Sequence, residues 1–201
     1  LHTAGLRILS KNRKVNIDTN KLSKIADWMP ELSTYNVKGK QYAIIAERRQ
    51  IVLQLVSALK SSLTNSNDNN AINELIETYS IDAEDIHIRL AKELLQKSIA
   101  KTSSIDFDDM IYLPVINNMK APTYDYIMVD ESQDLNLAQI ELVKMLVGEK
   151  GRLVAVGDSK QSIYGFRLAD SKAMFRIQGN FNAIELPLSV CYRCPKSHIE
   201  L

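Results

Sequence analysis

Two short apolar runs, each followed by an acidic residue and separated by a helix-like segment, constrain this fold more than any other feature of the sequence. The first run, Tyr126–Val129, precedes Asp130, and the second, 153–156, precedes Gly157 and Asp158. Between them, residues 136–146 carry apolar side chains at helical spacing. Almost wholly apolar strands that alternate with helices predict an α/β fold with a parallel sheet covered on both faces.

The sequence before this region predicts mainly helices. Residues 41–63 have a mostly helical apolar recurrence, 64–70 form a polar loop, and 71–79 predict a short helix. Asp82 is the expected N-cap of a further helix that runs to about residue 100. Residues 184–188 predict a third strand, and Pro187 places that strand at an end or edge of the sheet.

Composition excludes several classes of protein. A net charge of +1 predicts no charge-driven binding of polyanions, so a nucleic-acid surface must come from local arrangement. Two cysteines cannot build a disulfide framework and suit a reducing compartment, so we expect a cytoplasmic protein. A zinc site at Cys191 and Cys194, with His198 nearby, lacks a second cysteine pair. No apolar run reaches the length of about 18 residues that suits a membrane span.

The strongest chemical signal is the acidic run that follows the first strand, Asp130-Glu131-Ser132-Gln133-Asp134. A carboxylate at a strand end suits a hard cation that bridges phosphates, which is the role expected of Asp130. Glu131 is placed to accept a proton from an attacking water. The alternative is an ordinary acidic turn in which Asp134 or Asn136 caps the next helix.

Two further motifs suit nucleotide or nucleic-acid binding. In the stretch 156–167, Gln161 is a candidate hydrogen-bond partner of a phosphate, while aromatic residues next to arginine suit single-stranded nucleic acid. In the alternative reading, these aromatic residues are core residues beneath a turn. Near the end of the chain, Tyr192 is a candidate for stacking on a base and Arg193 for contacting a phosphate.

Taken in order, these motifs carry a resemblance to a known family. The run 130–134, the block 157–167 and Tyr192-Arg193 resemble motifs II, III and IV of the superfamily 1A DNA helicases, the UvrD/Rep/PcrA-like group. Residues 105–111 are similar to the D-F-D-D-L segment of that family, and residues 1–9 to the tail of its motif Ia.

The resemblance implies a RecA-like motor domain of the P-loop NTPase type, with a partial parallel sheet and a large all-helical insertion. Residues 1–9 would be the tail of motif Ia, and residues 10–103 the insertion. Residues 104–188 would return to the motor domain, and residues 189–201 would begin the link to a second motor domain.

The resemblance also implies ATP and Mg²⁺ as ligands and a role for each motif residue. Asp130 would hold Mg²⁺, Glu131 would activate the attacking water, and Gln161 would sense the γ-phosphate. Tyr192 would stack on adenine and Arg193 would contact the γ-phosphate. The residues that would lie along single-stranded DNA are His2, Tyr164, Phe166 and Arg167. The substrates would be single-stranded DNA and duplex junctions, without a membrane.

Some features depart from the family pattern. Phe166 stands where tryptophan is common, and Leu168 where glycine is usual. No G-x-x-x-x-G-K-[ST] motif occurs, so the phosphate-binding loop is expected before residue 1 of a longer parent protein. We therefore expect an ATP-dependent DNA helicase of 3′→5′ polarity as the parent, and no efficient ATP hydrolysis by these 201 residues alone.

Two other functions stay open from the sequence. One is a DNA-binding or regulatory module without catalysis, and the other is a metal-dependent nuclease or part of a helicase–nuclease. The nuclease requires five carboxylates to meet at one metal, and these are Asp106, Asp108, Asp109, Asp130 and Glu131. In the alternative reading, Asp108 and Asp109 only cap or flank a helix. The basic stretches are candidates for salt-dependent duplex binding or for solvated helix faces, and they comprise Arg7, Lys11, Arg13, Lys14, Arg48 and Arg49.

Overall fold

The computed structural model describes residues 1–11, 14–158, 161 and 172–188. Within these residues the chain mixes helices with short parallel strands. The helices are α1 (His2–Ser10), α2 (Lys21–Ala26), α3 (Gly39–Ser62), α4 (Asn69–Thr78), α5 (Asp85–Ala100), α6 (Phe107–Ile116), α7 (Leu137–Val147) and α8 (Ala173–Phe181). The strands are β1 (Asn16–Ile17), β2 (Ser104–Ile105), β3 (Tyr126–Val129) and β4 (Arg152–Ala155), and a 3-10 turn spans Ser132–Asp134.

The predicted helices of the first half are confirmed, with small shifts at their ends. Asp68 starts α4, because its side chain accepts hydrogen bonds from the backbone N–H groups of Asn70 and Ala71. The expected cap of α5 at Asp82 is wrong. The helix begins later, where Nδ1 of His87 accepts a hydrogen bond from the backbone N–H of Glu84 at 2.9 Å. A side chain one turn into the helix thereby satisfies the N–H that precedes it.

The largest core lies among α2, α3, α4, α5 and α6. Leu55 and Leu59 of α3 and Leu90 and Leu94 of α5 are almost completely buried there. These residues recur at helical spacing, so each helix turns one apolar stripe towards its neighbours. Burial of such side chains contributes about 1.5–3 kcal/mol each, which makes this core the main source of stability in the helical region.

Two residues at each end of this helical region pair as parallel strands. Asn16 of β1 lies opposite Ser104 of β2, and Ile17 lies opposite Ile105. In the chain, helices α2 to α5 therefore lie between two short strands that pair side by side. Helix α6 follows β2 directly and packs against α1 so closely that a Cβ on Gly5 would lie 1.8 Å from the carbonyl oxygen of Met110.

The second parallel pair is formed by β3 and β4, as predicted, and α7 connects them. One face of this pair packs on a core that contains Ile140 of α7 and Ile177 of α8. On the other face, Met128 is 79% exposed and Val154 is 47% exposed. The expected coverage of both faces is therefore wrong for the described residues, which cover one face.

The third predicted strand is also wrong. Residues 183–188 form no regular structure, and Ile184, Leu186 and Leu188 are exposed. Their apolar alternation resembles that of a strand, but no neighbouring described strand pairs with them. Within the described part of the chain, no helix combines the length and apolar character needed to cross a membrane.

Candidate functional site

The candidate site lies where β3 and β4 end. Val129 and Ala155 are partners in the parallel pair, so the residues that follow them leave the same edge of the sheet. These residues are Asp130 after β3 and Asp158 after β4. Ligands of α/β sheets generally bind beyond the carboxyl ends of the strands, which is this edge.

The loop after β3 has an unusual backbone at Glu131. This residue has φ 51° and ψ 42°, which lie in the left-handed region that residues other than glycine rarely adopt. Ser132 fixes the turn, because its N–H donates to the carbonyl oxygen of Val156 at 2.9 Å and its hydroxyl donates to that of Val129 at 3.0 Å. The strained backbone is thus held by bonds to the end of β3 and to the residue that follows β4, and the Glu131 side chain stays exposed at the sheet edge.

Gln133 joins the two loops from a buried position, with 4% of its surface exposed. Its Nε2 donates to Oε2 of Glu131 at 2.7 Å, and its Oε1 accepts from the backbone N–H of Asp158 at 3.1 Å. Gly157 makes room for this contact, since a Cβ there would lie 2.5 Å from Oε1 of Gln133. The loops after β3 and β4 therefore form one hydrogen-bonded unit.

Gln161 belongs to the same unit. Its Nε2 donates to Oδ2 of Asp158 at 2.8 Å, and its backbone N–H donates to the carbonyl oxygen of Asp158 at 2.9 Å. A continuous hydrogen-bonded path therefore runs from Glu131 through Gln133 and Asp158 to Gln161. The side chains of Glu131 and Gln161 are both exposed, so a ligand at this edge can reach them.

Asp130 suits a hard cation. Among the described residues, its carboxylate makes one hydrogen bond, in which Oδ1 accepts from the N–H of Glu131 at 2.9 Å. Oδ2 is therefore available, and the side chain is exposed. The described part of the chain holds no cluster of three or more His, Cys, Asp or Glu residues that fits a metal ion. One carboxylate, retained waters and substrate phosphates are the usual ligands of Mg²⁺ beside a nucleotide, and Asp130 fits that pattern.

His2 lies apart from this edge, at the start of α1. Its ring meets the ring of Phe107 edge-on, with centroids 5.8 Å apart. Burial lowers the pKa of His2, which favours the neutral ring. A cavity of about 50 Å³ is lined by His2, Asp108 and Asn136, among others, and Asn136 caps α7 just after the acidic loop. The cavity thus lies between His2 and the helix that follows the candidate site.

Several predicted site residues lie outside the described residues. They are Tyr164, Phe166, Arg167, Tyr192 and Arg193, and Cys191, Cys194 and His198 lie there as well. Their expected roles remain predictions.

The carboxylates needed for a nuclease do not meet at a metal site. Asp106 and Asp109 cap α6 reciprocally, since each side chain accepts from the backbone N–H of the other. Buried lysines neutralise both carboxylates, with Lys60 Nζ 3.0 Å from Oδ2 of Asp106 and Lys21 Nζ 2.6 Å from Oδ2 of Asp109. The expectation that Asp108 and Asp109 cap or flank a helix is confirmed, since both lie in the first turn of α6. The five-carboxylate nuclease is wrong.

The arginine pair of α3 is also engaged within the fold. Arg49 pairs with Asp27 and donates to the carbonyl oxygens of Ser23 and Leu32, while Arg48 donates to that of Glu31. These bonds fasten the loop after α2 onto α3. The guanidinium groups therefore stabilise the fold through these bonds, which makes them less available for contacts with duplex DNA.

Sequence reasoning did not identify Gln133 and Gly157 as the residues that join the loops after β3 and β4, which together form the loop assembly of the site. In the sequence, Gln133 is only one of several polar residues in the acidic run, whereas in the structure it bridges the two loops. The available signal was weak: a glycine at the end of one strand leaves room for a side chain from the neighbouring loop. Only the register of β3 against β4 identifies that side chain as Gln133.

Residues 1–182 match the family model described as UvrD/REP helicase N-terminal domain. A probable DNA helicase II homolog of Mycoplasma capricolum is 27% identical over 96% of the chain, which corresponds to 23% of that protein. The ATP-dependent DNA helicase PcrA of Staphylococcus epidermidis is 33% identical over 58% of the chain and 18% of its own length. The ATP-dependent DNA helicase Rep of Salmonella typhimurium is 39% identical over 41% of the chain and 13% of its own length.

These matches cover no more than about a quarter of each relative, so the chain corresponds to a part of such proteins. The family model spans almost the whole chain and includes both strands of the candidate site. The chain therefore belongs to the UvrD/REP helicase N-terminal domain family.

Proposed function

We propose that this chain is part of an ATP-dependent DNA helicase that couples ATP hydrolysis to 3′→5′ movement along single-stranded DNA and to unwinding at duplex junctions. The observation that carries the proposal is the hydrogen-bonded path from Glu131 to Gln161 at the carboxyl ends of two parallel strands. Family membership and the relatives' names support the same activity.

On this proposal, the exposed acids at the sheet edge divide the chemistry between them. Asp130 holds Mg²⁺, which supplies charge neutralisation for the phosphates of ATP. Glu131 accepts the proton of the water that attacks the γ-phosphate. Gln161 contacts that phosphate and reports its presence to the loop after β4. The strained backbone at Glu131 supports this assignment, because such strain concentrates at functional sites.

The other motif residues complete both binding sites in the proposal. Tyr192 stacks on adenine and Arg193 contacts the γ-phosphate. The single-stranded DNA path is assigned to His2, Tyr164, Phe166 and Arg167. Phe107, which meets the ring of His2 edge-on, is 53% exposed, and this supports a place where aromatic surface is available to a base.

The chain organisation proposed for the helicase follows the sequence motifs. Residues 1–9 and 104–188 belong to a RecA-like motor domain, residues 10–103 form its helical insertion, and residues 189–201 lead to a second motor domain. The pairing of β1 with β2 supports an insertion in this region, because the chain enters α2 after β1 and reaches β2, beside β1, after α5.

The direct test is Glu131→Gln in the full-length protein. We expect ATP turnover to fall by roughly 10²–10⁴-fold, the usual contribution of a general base. Binding of a non-hydrolysable ATP analogue, measured by calorimetry, should remain within about threefold of the original value, since Gln is isosteric and the phosphate contacts remain.

Glu141→Gln is the matched control for this test. Glu141 lies on α7, where it makes a long ion pair of 3.8 Å with Lys144, away from the sheet edge. This variant should hydrolyse ATP at the original rate. Unchanged turnover in Glu131→Gln would instead reject Glu131 as the general base proposed for this site. A full-length protein without measurable ATP turnover would support a non-catalytic DNA-binding or regulatory module.

A further inference from the structure

Gln133 differs from the other polar residues of the acidic loop because it is buried. Only 4% of its surface is exposed, whereas Asp130 and Glu131 on the same loop are exposed. A buried amide is costly unless both of its ends form hydrogen bonds. Both ends of Gln133 do, one to Glu131 and one to Asp158.

The two partners fix the orientation of the amide. The partner at the loop after β4 is the backbone N–H of Asp158, which only donates, so the oxygen of Gln133 must face it. The NH2 group must then face Glu131, where the Nε2–Oε2 distance is 2.7 Å. Because Glu131 accepts this bond through one carboxylate oxygen, its other oxygen is left for a second partner at the exposed sheet edge.

The surrounding backbone is shaped for this arrangement. Gly157 leaves the space that Oε1 occupies, since a Cβ there would lie 2.5 Å from it and 3.1 Å from the backbone N of Gln133. Asp158, whose N–H holds the amide oxygen, also accepts from Gln161 through its own side chain. A change in the loop after β4 therefore reaches the Glu131 carboxylate through a single side chain.

We propose that Gln133 is a positioning residue for ATP hydrolysis: its amide holds the Glu131 carboxylate in the orientation that accepts the proton of the attacking water and ties that orientation to the loop of Gln161. The inference rests on the function proposed for Glu131. Gln133 touches neither water nor phosphate in this role. Its effect on turnover passes through the position of another side chain.

A simpler role for Gln133 would be that of a staple between two loops, without any effect on Glu131. Gln133→Glu separates these roles. The introduced carboxylate keeps an oxygen that accepts from the N–H of Asp158, but when ionised it has no proton to donate to Glu131. The bond between the loops is then retained while the bond to the proposed base is lost.

The experiment measures steady-state ATP hydrolysis by the full-length Gln133→Glu protein. We expect kcat to fall by about 10²-fold, the scale of the loss when a reacting group is misplaced by about 1 Å. KM for ATP, and the affinity for a non-hydrolysable analogue, should change less than about threefold, because the phosphate contacts are untouched. A kcat within about twofold of the original value would overturn the proposal.

Gln133→Met repeats the test without placing a second carboxylate beside Glu131. The side chain has nearly the same length and no charge, and it removes both hydrogen bonds. We expect at least the same loss of kcat in protein whose thermal unfolding is still cooperative. An unchanged kcat here would also overturn the proposal, whether or not Gln133→Glu folds.

Gln139→Glu is the matched control. Oε1 of Gln139 also accepts from a backbone N–H, that of Asn136, at 2.9 Å, but this amide lies on α7 and serves a helix cap. The same substitution should leave kcat within about twofold there. An equal loss of kcat in both variants would show a general effect of added charge and would overturn the role of Gln133.

A double variant distinguishes failure of this inference from failure of the proposed function. If Gln133 acts through Glu131, Glu131→Gln combined with Gln133→Glu should hydrolyse ATP no more slowly than Glu131→Gln alone, since the effects of residues that act as a unit do not add. Multiplying losses would overturn the inference. Full activity of Glu131→Gln would reject the role proposed for Glu131 itself, whereas a slow Glu131→Gln with a normal Gln133→Glu would reject only the positioning role of Gln133.

Discussion

Nζ of Lys21 lies 2.6 Å from Oδ2 of Asp109, and both side chains are fully buried. The two residues are 88 positions apart, and their pair joins α2 to the first turn of α6. Lys60, at the end of α3, adds ion pairs of 2.8 Å to Asp109 and 3.0 Å to Asp106. Two lysines thus balance two carboxylates, and the start of α6 is held by helices of the preceding helical region.

Loss of the central carboxylate should be costly for stability. Asp109→Asn leaves Lys21 and Lys60 buried with one carboxylate between them, and breaking a buried pair typically costs about 3–5 kcal/mol. We expect a loss of that size in the free energy of unfolding of the 201-residue chain, measured with urea. Glu31→Gln removes an exposed pair with Arg89 and should cost less than about 1 kcal/mol. Similar losses in both variants would contradict the importance of burial.

The same cluster predicts a dependence of stability on alkaline pH. Burial by itself lowers the pKa of Lys60, but the charges of Asp109 and Asp106 outweigh burial and raise this pKa above its ordinary 10.5. The stability contributed by Lys60 is therefore fully present below pH 10.5 and is lost as pH rises from 10.5 through the folded pKa. The free energy of unfolding, measured with urea, should fall more steeply above pH 10.5 for the original chain than for Lys60→Met.

Parallel slopes for the two proteins would assign the alkaline loss to other groups. Tyr112 is the relevant competitor, since burial raises its pKa and its titration weakens the fold in the same direction. The comparison therefore includes Tyr112→Phe, which should retain the slope due to Lys60.

The sequence predicted only one member of this cluster. Asp109 is expected to cap or flank a helix and lies in the first turn of α6, whereas no such role was predicted for Asp106, the N-cap. Lys21 and Lys60 were not foreseen, because lysine on an amphipathic helix is normally exposed. Their burial depends on partners 88 and 46 residues away, and such distant contacts leave no trace in local spacing.

The candidate site shows the same limit. Asp130 and Asp158 each follow an apolar run in the sequence. Because parallel neighbours end together, the pairing of β3 with β4 places both residues at one edge of the sheet. The bond from Gln133 to Asp158 depends on strand register and on the space at Gly157, so the sequence pattern did not predict it. The third strand was wrong because apolar alternation in 184–188 does not specify a pairing partner.

Substitution of alanine for glycine should have opposite effects on stability at two helical positions, Gly5 in the close packing of α1 on α6 and Gly179 on α8. In Gly5→Ala the new Cβ meets the backbone carbonyl of Met110 at 1.8 Å, which only a shift of a helix can relieve. We expect a loss of about 1–3 kcal/mol, the usual cost of overpacking. Gly179 of α8 has nothing within 4 Å of a built Cβ, so Gly179→Ala should stabilise the chain by about 0.5–1 kcal/mol. Thermal unfolding of both variants checks the signs, and stabilisation by Gly5→Ala would contradict the packing.

Gly157 provides a test of the loop assembly that is independent of enzymatic activity. A methyl group there would lie 2.5 Å from Oε1 of Gln133, so Gly157→Ala should displace the amide and break its bond to the N–H of Asp158. We expect a loss of about 1–3 kcal/mol. Faster hydrogen exchange of the Asp158 amide, measured by NMR, would report the broken bond directly.

A double-mutant cycle assigns that loss to its cause. Gln133→Ala removes the atom that the new methyl group meets, so Gly157→Ala should cost less in the Gln133→Ala background than alone. The expected coupling is about 0.5–3 kcal/mol, as for residues in direct contact. Strict additivity would place the strain elsewhere, at the backbone N of Gln133 or at Sδ of Met174, each 3.1 Å from the built Cβ. Met174→Ala separates these two sources, because it removes the thioether and leaves the backbone unchanged. If Gly157→Ala costs less in the Met174→Ala background, the strain lies at the Met174 side chain. If it costs the same, the strain lies at the backbone N of Gln133.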